Sequence, residues 1–299
     1  MGRFPHPFAL GALLILTEIT LAVAGAPPVA GKPGNPPAGP QLSIRWENNM
    51  LTITGPGLPG NEMEVWYLEA YCRPGSTDRE WEETVIGHKT TLIEATPDGR
   101  TVKLQCKLTD GVTVDHVITA GHGEVDFQIV ARNPTAKASQ AHWAQPCVRV
   151  GAFTGTANHP DKDAYLGNCF VYLDDEHSSL PTKDWATKAR YVPGQVWSAP
   201  GVDRDDVNPR PLNPHVPSNG LIGCASADRS WTMAIAFEPY QELFQGVIRC
   251  IHSDFRIGGL QPGESRKIRG KIYLQPGGPD SVLSRYEADF PDQVRRNHQ

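Results

Sequence analysis

Two stretches of the chain bring chemically useful side chains into period-2 register. Along 65–73, alternation places Val65, Tyr67, Glu69, Tyr71 and Arg73 on one strand face and Trp66, Leu68, Ala70 and Cys72 on the other. The second set is a core face. The first combines phenol rings, a carboxylate and a guanidinium, the groups that stack on a sugar ring and take up its hydroxyls; an ion pair of Glu69 with Arg73 between tyrosines is the plain alternative. Along 143–149, Trp143, Gln145, Cys147 and Arg149 share a face opposite Pro146 and Val148. An indole, an amide and a guanidinium together suit a polyhydroxylated ligand, although a core Trp beside surface polar groups has the same pattern. Pro146 has no N–H for a ladder, so it predicts an edge or bulged position, and such positions often border sites.

Histidine is the side chain whose ordinary pKa suits proton transfer near neutrality. His88 follows Thr84-Val85-Ile86-Gly87 and is expected on the face of Thr84 and Ile86, while His252 closes the apolar run 247–251 at a strand end. For any one histidine, a satisfied structural role is the competing reading. Cys250 and His252 would point the same way on one strand, yet Cys250 lies in an apolar run and reads as inert. No HExxH, HxH or CxxC spacing occurs, so neither a metal site nor a cofactor is expected. A GxSxG elbow, a Walker loop and a helix-opening GxGxxG are likewise missing from the sequence.

The elements that must position these residues are short and turn-bounded. The chain has 29 Gly and 27 Pro in 299 residues, which excludes a helical bundle or coiled coil. With 28 Lys+Arg against 33 Asp+Glu the net charge is −5, and no basic stripe offers itself to nucleic acid. Residues 1–24 read as a secretory signal: Arg3, then the apolar run 8–16, then Ala22-Val23-Ala24. Residues 25–40 are a Pro/Gly-rich linker. No later apolar stretch is long enough to span a membrane, so the expected product is an exported periplasmic or secreted protein without a span after signal cleavage.

From residue 41 onward, strand patterns recur every ten to twelve residues, with Asp98-Gly99 and Asp110-Gly111 as hairpin turns. They include 42–46, 50–53, 64–73, 84–94, 101–108, 112–119, 124–132 and 145–153, then 220–225, 232–238, 244–252 and 265–274. A short helix is predicted over Asp280–Tyr286, with Pro291 as a stop. Residues 155–219 are rich in Pro, Asn and Asp but carry Tyr165, Phe170, Tyr172, Trp185, Tyr191 and Trp197, so they are expected as a long irregular insertion packed across the rim. The fold class is thus all-β: a two-sheet sandwich over 41–299, with that insertion and one C-terminal helix. Six cysteines in an exported chain permit up to three disulfides, and at least one is expected.

The runs VWYLEAYCRPGSTDREWEETVIGH (65–88), DGVTVDHVITAGHGEVDFQIVARNPT (110–135), WAQPCVRVGAFTG (143–155) and CIHSDFRIGGLQPGESRKIRGKIYL (250–274), with SRYEADF (284–290), resemble a group of uncharacterised exported bacterial proteins. Their order resembles the galactose-mutarotase-like supersandwich of carbohydrate-active proteins, and Leu260-Gln261-Pro262-Gly263-Glu264 looks like that fold's closing turn. The resemblance implies sugar bound on the concave face of one sheet, a Glu as general base (Glu69 or Glu238) and a His as general acid (His88 or His252). Tyr71, Arg73, Trp81, Trp143, Gln145, Arg149 and Arg249 are the expected substrate contacts. The leading expectation is a carbohydrate-active protein; a non-catalytic carbohydrate-binding module and a structural envelope protein are the alternatives. An enzyme requires Glu69, Arg73, His88, Arg149 and His252 to meet in one pocket. Oligomeric state is not legible.

Overall fold

The computed structural model describes residues 39–293; the expected signal 1–24 and the linker up to residue 38 lie outside the described residues. Three strands come first among the described residues: β1 (Ser43–Glu47), β2 (Met50–Thr54) and β3 (Glu62–Cys72). A single helical turn, α1 (Trp81–Thr84), leads to β4 (Val85–Ile86) and β5 (His88–Ala95). Next come β6 (Thr101–Leu108), β7 (Thr113–Ala120), β8 (Glu124–Arg132) and β9 (Trp143–Arg149). The second half holds β10 (Cys169–Leu173), β11 (Glu176–Ser179), β12 (Gln195–Ser198), β13 (Leu221–Ala225) and β14 (Trp231–Glu238). It closes with β15 (Tyr240–Gln245), β16 (Cys250–Arg256), β17 (Ser265–Pro276) and helix α2 (Pro279–Asp289).

These strands make two antiparallel sheets. One is eight-stranded in the order β1-β2-β3-β9-β16-β15-β12, with β4 on β3; the other is nine-stranded, β11-β10-β13-β14-β17-β8-β7-β6-β5. The clearest period-2 sequences form the regular part of the second sheet, where β6 and β7 alternate buried and half-exposed residues along their length. Asp110-Gly111 turns the chain between them, with Gly111 at φ 94, a backbone state that disfavours any side chain. The main core lies between the sheets: Leu51, Val65, Val148, Ile251 and Phe255 from one side meet Leu104, Val114, Phe127, Ile235 and Ile272 from the other. Helix α2, expected over 280–286, runs over 279–289 and lays Val282 and Tyr286, followed by Phe290, against Phe170, Leu221 and Tyr273 on the outside of the nine-stranded sheet. Residues 155–219 are mostly turns, as expected, and also supply β10 and β11 to one sheet and β12 to the other.

Two departures from simple alternation decide the site. The expected strand 84–94 is split at Gly87: Val85–Ile86 pairs with β3, whereas His88–Ala95 pairs with β6 in the other sheet. The second is a bulge. Trp66 stands opposite Cys147 and Ala70 opposite Gln145, so Tyr67, Leu68 and Glu69 all face the single residue Pro146. Pro146 cannot donate to the ladder, so the partner strand loops out where the bond is missing. Pro146 itself is not at an edge, because β9 runs between β3 and β16.

Candidate functional site

The bulge separates residues that strict alternation would keep together. Tyr67 and Tyr71 enter the inter-sheet core, fully buried, and their hydroxyls hydrogen-bond His116 Nδ1 at 2.8 Å and Nε2 at 3.1 Å. Tyr71 is therefore a core residue, not a substrate contact. Glu69 is turned instead to the outer face of the eight-stranded sheet, where it borders a cavity of about 260 Å³. Trp81, Phe244 and Tyr191 give that cavity aromatic lining, and Glu69, Gln145, Asn208, Arg210, Cys250 and His252 supply polar groups.

The floor is built by β9 and β16. Cys250, His252 and Asp254 alternate along β16 and so project from the same face. Cys250 Sγ lies 3.4 Å from His252 Nε2, and His252 Nδ1 lies 3.3 Å from Asp254 Oδ1, in ion-pair contact though off the line of a hydrogen bond. Gln145 Nε2 donates to Asp254 Oδ2 at 3.2 Å. Glu242, directly opposite Asp254 on β15, accepts the Asn208 backbone N–H at 2.8 Å. Cys147 on β9 completes the cluster, its sulfur and those of Cys250 and the His252 ring nitrogen lying within 4.8 Å of one another. Gly246 makes the room: a Cβ there would stand 2.3 Å from Cys250 Sγ and 3.4 Å from His252 Nε2.

Electrostatics follow from this packing. Burial raises the Glu69 carboxyl above the ordinary carboxylate range, against the opposing pull of His252. Burial alone would depress the His252 imidazole, but the Cys250 thiol and Asp254 carboxylate outweigh it and hold it well above its ordinary value. A hydrogen bond with Cys147 holds the Cys250 thiol well below its ordinary value, with His252 adding to the effect against burial. Burial, then the facing Asp254, raises the Glu242 carboxyl well above its ordinary value.

Of the expected catalytic residues, only Glu69 and His252 meet. His88 begins a strand of the other sheet, half-buried and edge-on to the Tyr71 ring at 5.0 Å, because the chain changes sheets at Gly87. Glu238 lies on β14 of the nine-stranded sheet, where Arg269 Nε donates to its Oε2 at 3.1 Å. Among the expected contacts, Trp81 and Gln145 line the cavity. Trp143 is fully buried behind it, its ring 6.3 Å from that of Trp81. Arg73 is a strap, donating to the carbonyls of Glu83 and Val85 at 3.1 and 2.7 Å and to Gln140. Arg149 lies over the Trp66 ring at 5.7 Å, and Arg249 donates to the His159 carbonyl; both border a separate hollow with Glu62 and Glu64. The expected five-residue pocket thus reduces to Glu69 and His252. All six cysteines are free thiols, contrary to the expected bridge.

Cys147, Cys250 and Asp254 are not among the site residues expected from the sequence. The spacing Cys-x-His-x-Asp at 250, 252 and 254 is a visible signal, since three alternate strand positions share a face. Asn208, Arg210 and Tyr191 come from the 155–219 segment, which the Tyr191 hydroxyl ties down by donating to Glu80 Oε2 at 2.6 Å. Nothing in the linear text points them at β16.

No family model matches the chain. An uncharacterized protein of Mycobacterium tuberculosis (strain ATCC 25618 / H37Rv), Rv1815, is 26% identical over 125 residues, 39% of this chain and 52% of its own length. The chain thus spans about half the length of the curated relatives it matches. Among solved structures, a galactose mutarotase-like protein from Clostridium acetobutylicum is similar with a TM-score of 0.44 at 11% identity, covering 79% of this chain and 99% of that one. A galactose mutarotase-like protein from Lactobacillus casei ATCC 334 gives 0.41 at 9% identity, over 78% and 99%. The Slr1438 protein from Synechocystis sp. PCC 6803 gives 0.43 at 9%, over 81% and 98%. The resemblance drawn from the sequence is to the same group, while the two-sheet architecture is read from this chain's own strand pairing.

Proposed function

We propose that this chain is an exported carbohydrate-active protein that cleaves or isomerises a sugar by proton transfer in the cavity over β9 and β16. The observation that carries the reading is the meeting of Glu69 and His252 in one cavity that Trp81, Phe244 and Tyr191 line together with Gln145 and Asn208. Trp81 offers an apolar face for a sugar ring, and the Gln145 and Asn208 side chains are of the type that takes ring hydroxyls. One of the Glu69–His252 pair takes a proton from the sugar while the other delivers one, so the transfer leaves the pair charge-balanced over a turnover. The pull of His252 on the Glu69 carboxyl supports their working as a pair. No helix among the described residues is long and apolar enough to cross a membrane. Export rests on residues 1–24, and N-terminal sequencing of the exported chain should start at Gly25.

A glycan-array screen, followed by anomeric-exchange NMR and reducing-end assays on each hit, tests the reading. Glu69→Gln should lower turnover by about 10²–10³-fold while leaving sugar binding within a few-fold. Sugar binding without turnover in the native chain would leave a binding module; no binding at all would sink the proposal.

A further inference from the structure

The cluster under the cavity has more soft donors than proton transfer needs. We infer that Cys147, Cys250 and His252 form a zinc site of two thiolates and one imidazole, with its fourth position open to the cavity. The three donors come from two neighbouring strands, and their ligand atoms already lie within 4.8 Å of one another. A tetrahedral zinc with Zn–S near 2.3 Å and Zn–N near 2.0–2.1 Å requires donor separations of about 3.5–3.8 Å. Cys250 Sγ and His252 Nε2, at 3.4 Å, nearly meet that spacing before any ion enters.

The imidazole is presented as a ligand. Its Nδ1 faces Asp254 Oδ1 at 3.3 Å, which leaves the Nε2 lone pair toward the sulfur, and Gln145 in turn holds the other Asp254 oxygen. A carboxylate behind a metal-binding imidazole fixes its tautomer and raises its basicity. All three donors are at least 98% buried by their residue exposures of 0, 2 and 1%. Gly246 keeps side-chain atoms out of the space beside Cys250 Sγ and His252 Nε2, and a Cβ would occupy it.

A disulfide is the rival use of the two sulfurs, and the strand register opposes it. Cys250 stands opposite Arg149, and by the same register Cys147 stands opposite His252, so the two cysteines are diagonal neighbours. Diagonal neighbours across antiparallel strands have α-carbons about 7–8 Å apart, beyond the roughly 4.4–6.8 Å that a disulfide spans. An ion between the sulfurs bridges that gap. Two thiolates and an imidazole also select a thiophilic ion such as zinc over magnesium or calcium, which take oxygen ligands. The linear spacing hides this set because its first member lies on another strand.

With zinc in place, His252 is a ligand, and the proton-accepting role passes to water on the open position, whose pKa zinc lowers toward neutrality. That last assignment rests on the carbohydrate reading; metal binding itself does not. The test is a titration of the full chain, reduced and stripped with a chelator, with Co²⁺ under nitrogen. One equivalent should bind with the sulfur-to-cobalt charge-transfer absorption of thiolate coordination, and Zn²⁺ should displace it. Cys147→Ser and Cys250→Ser should each lower affinity at least tenfold and weaken that absorption, His252→Gln should lower affinity, and Cys106→Ser should change neither. Because a variant can fail to fold, alkylation is also mapped in the native chain: zinc should protect Cys147 and Cys250 together, at least tenfold. Absence of the absorption and of protection in the native chain overturns the site, as does a mapped Cys147–Cys250 disulfide. Metal binding without sugar turnover removes the carbohydrate reading alone; turnover without metal binding removes the zinc site alone.

Discussion

His116 and His252 are each 1% exposed, yet they lie on opposite sides of the eight-stranded sheet and differ in every partner. His116 projects from β7 into the inter-sheet core, where two tyrosine hydroxyls satisfy both ring nitrogens. One nitrogen donates and the other accepts, so the ring is neutral and complete. Burial depresses it to about 3, with only the neighbouring Asp115 opposing. His252 projects from β16 toward the outer cavity, beside a thiol, a carboxylate and the space that Trp81 also lines. Burial alone therefore does not mark a functional histidine. The partner set does: phenols lock one ring in place, while ionisable groups leave the other able to exchange a proton or take a metal.

The strongest way to break this comparison is acid. The folded-state value of His116 lies near 3, below the roughly 6.5 of an unfolded chain, so between them only the unfolded chain takes up the proton. Its contribution to stability is full above about pH 6.5 and falls as the pH drops through that window. By pH 3.5 the loss should reach about 4 kcal/mol, read as the difference in urea-unfolding free energy between the native chain and His116→Gln across pH 7 to 3.5. If His116→Gln keeps the same acid slope as the native chain, the imidazole is not the neutral core residue described.

A smaller effect is expected from single atoms. Tyr67→Phe removes the hydroxyl that meets His116 Nδ1 and leaves that nitrogen buried and unpaired, a loss of about 1–2 kcal/mol in urea. Glu69→Gln should lie at the other end, within about 1 kcal/mol of the native chain. Burial already opposes ionisation of the carboxyl there, and an amide of the same shape keeps its packing. A Glu69→Gln chain as unstable as Tyr67→Phe would turn Glu69 into a structural residue and erase the contrast.

Much of the fold was legible because it depends on local alternation. The strands β6, β7 and β8 and the Asp-Gly turns beside them follow from period-2 and turn patterns that each segment carries within itself. The shared face of Trp143, Gln145, Cys147 and Arg149 was legible for the same reason, as β9 runs without a break. The site was legible in part. Glu69 and His252 stood out by residue type, but Tyr71 and Arg73 were grouped with Glu69 on a count that the bulge opposite Pro146 resets. His88 was grouped with Ile86 across Gly87, where the chain leaves one sheet for the other.

The sequence by itself determined that the chain is β-rich, where most strands and turns fall, and which side chains share a face within an unbroken strand. These depend on residues a few positions apart, whose geometry the backbone sets. Only the tertiary structure decided which faces meet. Cys147 and His252 are separated by more than a hundred residues and become neighbours through one register of β9 against β16. Asn208 and Arg210 reach the same cavity from a segment with almost no periodicity. Register and loop docking are set by packing between distant segments, so no local pattern encodes them, and it is there that the candidate chemistry is assembled.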